Sequence, residues 1–600
     1  GIASKPMASL SEIGTWITEN EQLLCGLAAM VAVAGVTLSG VGMGVRRLVG
    51  RRRSKLPPSP GKPAPKAGVP STMPVDDRSA SAAIAPAPVE PLVAVLAFEN
   101  LSSDPEMQFF SDGISEEIIQ RLARGASLRV IGKLSSFQFR GDRKADVAEK
   151  LQCSHVLDGS IQRAEGRIRI SAHLSDAQSK TTLWSDRYDR SLADIFAIQD
   201  EISDQIARAL DQTFSRSSPR AVDPSIYDLY LRAIPKSYSP DELRTHVGVL
   251  EVVTQRAPEF AEAWARLAYL RAWLHFYQPF AERPAAAARV EQESARALAL
   301  DAQSADGLAA RLFVIPPFGH FIETDAVLER LRRAPGAGDG RRYIGYMLRT
   351  MGWIRESLEE SERAYLLDAL DPMSANSVAL ARMAAGRVDA AIPVYEDLVE
   401  RAPEMSFPVS SLLRAYAFRR DWSAVDRLLV LAEKRELREL SEGLAFIRAK
   451  RDPSAENIGA FRATLESHVA KTGGADISRL VYAAHLGLVD DAYHAAATAR
   501  LGPAGTRDDV MGPDGYRTSL LFQAGMPEMR NDVRFPRLCA RLGLVELWSA
   551  TGKWPDCADE VPYDFRGECE RVRGVPKEPF GSSSRGIGVV QGTGRGGGPA

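Results

Sequence analysis

Five carboxylates crowd the stretch 104–117: Asp104, Glu106, Asp112, Glu116 and Glu117. Carboxyl groups so closely spaced can divide acid and base roles between them. A plainer reading has Asp104 and Glu106 solvating a polar loop and Asp112 capping a helix. Glu116 and Glu117 would then sit in that helix's first turns, where the helix dipole favours negative charge. A second candidate is the run Arg187-Tyr188-Asp189-Arg190, whose guanidinium groups could hold an anion. On an exposed strand such a run satisfies itself with local ion pairs. The interaction loops that emerge are centred on Asn100, Asp104, Asp112, Arg187 and Asp189. A third motif, Thr551-Gly552-Lys553-Trp554, approaches a phosphate-binding loop but has Trp554 where magnesium needs a Ser or Thr hydroxyl. The five cysteines, Cys25, Cys153, Cys539, Cys557 and Cys569, form no C-x-x-C pair, and the eight histidines form no H-E-x-x-H. Cys557 and Cys569 stand in a loop-like, Pro- and Gly-bearing segment, where an oxidising compartment would let them pair and the cytoplasm should keep them free. These residues lead us to expect no catalytic residue, no metal, no cofactor and no enzyme activity.

The elements that would carry these residues follow from hydrophobic patterning. Residues 23–45 hold no charged side chain and would span about 34 Å as a helix, enough to cross a hydrocarbon core of roughly 30 Å. Arg46, Arg47, Arg51, Arg52, Arg53 and Lys55 follow at once, as stop-transfer charges that also suit anionic lipid headgroups. The run lacks the interleaved aromatics of a nucleic-acid site, and the net charge of -2 gives no global reason to expect one. A Pro/Ala-rich linker completes 46–90, after a short segment 1–22.

From 91 to 215 short apolar runs alternate with helical patterns. Strands are expected at 92–99, 128–132, 155–163, 167–176 and 181–190, and helices over 112–123, 146–151 and 198–214, which together make an α/β or α+β domain. From 223 to 556 the spacing is helical and the sequence repeats. Related stretches start at Ala257, Asp301, Asp371 and Ala402, giving gaps of 44, 70 and 31 residues (257 to 301, 301 to 371, 371 to 402). Units of about 34 residues, two in the middle gap, predict an all-α tetratricopeptide-type solenoid. Pro393 falls inside an expected helix and should kink or shift it. Residues 557–600 end in a Gly/Ser/Arg-rich run and are expected to be a largely disordered tail.

The motifs VAVLAFENLSSDPE, FFSDGISEEII, SSFQFRG, HVLDGSIQR, RIRISAHLSDA and LWSDRYDRSLADIFAIQDEI, between Val93 and Ile202, resemble the bacterial TolB-like family of N-terminal type. Ala97 departs from that family's usual proline, and Asp158 from its glutamate. The segment 530–557 resembles the end of the tetratricopeptide domains that follow such a module. The resemblance implies the sensor portion of cyclase- or CadC-like proteins. Their output domain, a nucleotide cyclase or a winged helix, precedes the membrane helix, and neither is expected in the 22 residues before Leu23.

The expected function is therefore a non-catalytic, membrane-anchored scaffold that binds a protein or peptide on its repeat surface. The alternative is a signalling relay that works through another chain's output domain. Membrane lipid at the helix and basic flank, and self-association, complete the expected partners; nucleic acid is not among them. The basic flank places the body in the cytoplasm at a bacterial inner membrane, whereas the resemblance implies the periplasm.

Overall fold

The computed structural model describes residues 90–574, apart from 126–127, 165, 213–221, 234–238, 280–281, 317, 337–340, 404, 406, 436–440 and 502–517. The chain divides after Ala85, and all these residues belong to the second unit. Among them no helix is long and apolar enough to cross a membrane. The longest, Gln108–Gly125, Arg283–Leu300 and Ala455–Thr472, carry charged side chains along their length. This corrects the expected fold class, which counted a membrane-spanning helix among its parts. The run 23–45 and the residues Arg46 to Lys55 lie outside the described residues.

The N-terminal part is a mixed sheet flanked by helices. Strands β1 (Leu92–Val95), β2 (Glu99–Asn100), β3 (Arg129–Val130), β4 (His155–Ala164), β5 (Arg167–Asp176) and β6 (Thr182–Ser191) form a six-stranded sheet in the order β3-β1-β4-β5-β6, with β2 continuing β1 along β4. The β1 pairs are parallel, and β4-β5-β6 is an antiparallel meander. Alternation along β1 explains its central place, because both faces are buried. Val93 and Val95 join the main core, while Ala94 and Leu96 meet a smaller cluster with Phe139 and Leu151. The first face is covered by α1 (Gln108–Gly125) and α4 (Ile195–Ala209); α2 (Lys133–Ser136) and α3 (Val147–Leu151) connect β3 to β4. Ile114, Ile118 and Leu122 of α1, at helical spacing, are fully buried.

Helical hairpins follow. The first helices are α5 (Pro224–Arg232), α6 (Pro240–Arg256), α7 (Ala261–Phe276), α8 (Arg283–Leu300) and α9 (Ala305–Val314). From α5 to Trp422–Lys434 each described helix packs on the next. Leading helices of successive pairs also touch, as in α7 with α9, Arg342–Thr350 with Pro372–Ala384, and Phe407–Arg419 with Ser441–Arg451. That is the contact pattern of a stacked, solenoid-like array. All four related stretches open such a leading helix, at Ala261, Ala305, Pro372 and Phe407, and the wide gap holds the additional pair Arg342–Thr350 and Ile354–Leu367. Helix Val388–Arg401 continues through Pro393 as a single element.

The array ends later than its sequence suggests. Phe565 and Cys569, one helical turn apart on Phe565–Arg571, are buried at 1% and 0% exposure. The tail expected from 557 therefore folds through Arg571, because these two side chains close over an aromatic cluster that includes Trp548. Cys557 is buried as well, and Cys153, Cys539, Cys557 and Cys569 are all unbridged. Burial pushes the Cys557 and Cys569 thiols up to about 12 and Cys153 up to about 11, so little reactive thiolate forms near neutrality. Titration of the folded chain with an aromatic disulfide should leave these four thiols unreacted while the denatured chain reacts fully. More than one fast thiol in the folded chain would contradict this packing.

Candidate functional site

Helix α1 starts at Gln108, straight from the 3-10 turn Pro105–Met107. Asp112 is therefore not a cap. It lies one turn inside the helix, accepts from Gln108 Nε2 at 2.8 Å and pairs with Arg140 at 2.9 Å. The shift carries Glu116 and Glu117 into the middle of the helix, where both are buried. Buried carboxylates need partners, and these come from the array and from α2. Arg266 of α7 donates to Glu116 Oε1 at 2.9 Å, and Lys133 of α2 approaches Oε2 at 3.1 Å. Tyr230 of α5 donates its hydroxyl to Glu117 at 3.0 Å. Burial holds the Tyr230 hydroxyl well above its usual range, so it stays a donor. Burial opposes the charge on Arg266, but Glu116 leads the groups that outweigh it and raise that guanidinium.

The same contacts join sheet and array over a wide front. Arg163 of β4 meets Asp228 of α5 at 2.5 Å, and Gln199 of α4 donates to the Tyr227 hydroxyl at 3.0 Å. At the other end, the loop after Ile354–Leu367 returns to α2, where Asp368 accepts from Ser135 N at 2.8 Å and Leu367 O accepts from Gly132 N at 2.7 Å. A β-carbon on Gly132 would stand 2.3 Å from the Asp368 carboxylate, so this approach needs glycine.

Between α1, α5, α7 and α9 lies a small recess, with room for about one ordered water, lined by Glu117, Arg121, Arg124, Tyr230, Glu262 and Arg266 among others. Arg121 is 4% exposed and Arg266 7%. Arg121 pairs with Asp200 and lies over the Phe196 ring, and Arg266 lies 5.0 Å from the Tyr230 ring centre. These contacts fix both guanidiniums, yet Nε and Nη2 of Arg121 and Nη1 of Arg266 meet no protein acceptor. The recess thus holds three guanidiniums, Arg121, Arg124 and Arg266, beside three carboxylates, Glu117, Glu262 and Asp306.

The residues singled out in the sequence lie elsewhere. Asn100 and Asp104 share a loop, in which Asn100 donates to the Asp104 carbonyl at 2.9 Å and accepts from Ser102 N. Arg187 and Asp189 lie on the exposed β6, and Arg167 and Arg169 hold the Asp189 carboxylate below its usual range. Lys553 reaches Glu356 at 2.6 Å and lies over the Trp353 ring at 3.8 Å. No group of three His, Cys, Asp or Glu side chains among the described residues is placed to hold a metal. Sequence reasoning missed Arg121, Tyr230 and Arg266. The available signal was a charge inside an apolar helical stretch, as in Ala263-Trp264-Ala265-Arg266-Leu267-Ala268.

No model of a known protein family matches the chain. It is similar to a protein of Rhizobium meliloti (strain 1021) described as "Putative adenylate cyclase 3", at 43% identity over 154 residues. The match takes in 24% of this chain and 26% of that protein, so the chain spans about a quarter of its relative's length.

Proposed function

We propose that the described body is the binding part of a signalling protein and performs no chemistry itself. The helical array receives a protein or peptide partner, and a carboxylate of that partner docks at the recess between α1 and α7. The observation that carries this reading is the pair of buried guanidiniums, Arg121 and Arg266, in the wall of a recess between sheet and array. Because α1 belongs to the sheet and α7 to the array, an occupant there would touch both parts at once. Co-purification with the full chain tests this. A stoichiometric partner is expected, and Arg124→Glu, a half-buried change in the recess wall, should release it by reversing the local charge. A partner retained unchanged by that variant, or cyclic nucleotide made from ATP by the purified chain, would overturn the proposal.

A second reading is favoured by the similarity to a protein described as an adenylate cyclase. In it the partner supplies the output domain, and residues 93–202 are a TolB-like module that relays occupancy to it. The composition of the purified complex separates the two, since the relay requires a cyclase or DNA-binding domain on the partner.

A further inference from the structure

The sheet has two unlike edges. At one end stands β3, two residues long. At the other stands β6, ten residues long, paired on one side with β5 and with no further strand beyond it among the described residues. Seven of its ten residues are exposed. A long exposed edge offers a row of backbone N–H and C=O groups to any extended chain. Proteins guard such edges with charge, and charges of one sign repel a second copy of the same strand. The charges on β6 have another arrangement. Asp186, Arg187, Tyr188, Asp189 and Arg190 read minus, plus, neutral, minus, plus. Reversed about Tyr188, every sign is met by its opposite, while within its own chain Asp189 also pairs with Arg167 and Arg169, and Arg190 with Glu201.

We infer that a second copy of this chain pairs with β6 strand to strand, antiparallel about Tyr188, so that one sheet runs through both molecules. In this register Asp186 faces the other copy's Arg190, Arg187 faces Asp189, and Ser185 faces Ser191. A slide of two residues, the smallest that keeps each side chain on its own face, centres the pair on Arg187 or Asp189 and sets like charges opposite each other. The two-fold axis stands perpendicular to the sheet. The face that carries the buried Tyr188 and rests on α4 stays on one side in both copies, and the exposed Arg187 and Asp189 stay on the other. Backbone bonds supply the attachment. Exposed ion pairs contribute only about 0.2–1 kcal/mol each, so their role is to choose partner and register.

Cysteine cross-linking of the full chain reads the register directly. A mixture of Ser185→Cys and Ser191→Cys copies, each in a Cys25→Ser background, should form a covalent dimer under mild oxidation, whereas either copy alone should not. Analytical ultracentrifugation gives the second measure. Arg187→Glu should weaken the dimer about tenfold at low salt, and the difference should shrink in high salt. A melting curve confirms that the variant folds. A wild-type chain that stays monomeric at about 100 μM, a dimer indifferent to Arg187→Glu, or a dimer whose mixed cysteines fail to join would each overturn the proposal.

Discussion

Replacing Glu116 with alanine is expected to cost the fold about 3–5 kcal/mol, the usual consequence of removing one partner from a buried ion pair. Its carboxylate is 5% exposed and serves two cations, Arg266 at 9% and Lys133 at 11%. Alanine leaves both without the group that offsets their desolvation. Glu117 lies close enough to add to the field on Arg266, which limits the loss without replacing the direct bond. The damage falls on the contact between α1 and α7, so chemical denaturation should show sheet and array parting in two steps where the wild type unfolds in one. The triple variant Glu116→Leu with Arg266→Met and Lys133→Met should recover much of the stability, because an apolar set of similar volume needs no compensation. A loss below about 1 kcal/mol in the single variant would mean that water reaches the pair.

The reason this pair escapes a reading of the sequence is instructive. Strand β5 is legible because Ile168, Ile170, Ala172 and Leu174 alternate with polar residues, and that alternation is the burial pattern itself. The array is legible because each related stretch marks the turn before a leading helix. Glu116 was placed in a first turn because Asp112 has the chemistry of a cap. The helix instead begins at Gln108, where the turn Pro105–Met107 already sets its direction. Its partner Arg266 lies 150 residues away, and no periodicity links the two. Long-range pairing of charges depends on how finished elements dock, which a local pattern does not encode. The same limit applies to the C-terminus. Segment 557–574 has the turn residues of a loop, and it is ordered by a distant aromatic cluster.

That cluster sets the second large effect. Trp548→Ala is expected to destabilise the chain by about 3–5 kcal/mol, the range for deleting a buried aromatic side chain. Trp548 is fully buried, packs 5.7 Å from the Phe565 ring and 6.1 Å from Phe522, and donates its indole N–H to the Met351 carbonyl at 3.0 Å. Met351 precedes Gly352, whose φ of +84° suits glycine and whose added β-carbon would stand 2.7 Å from Pro555. The tryptophan therefore seats the closing segment on one turn of the array. Trp548→Phe keeps most of the ring volume but leaves the Met351 carbonyl unpaired, and should cost about 1–3 kcal/mol. The ordering of the two variants separates packing from the hydrogen bond in urea melts. Limited proteolysis adds a local reading. In the alanine variant, bonds within 553–574 should become cleavable before the rest of the array, since Phe565 and Cys569 lose the surface they cover. An alanine variant that melts within about 1 kcal/mol of wild type and keeps this segment protected would show that the cluster closes without Trp548.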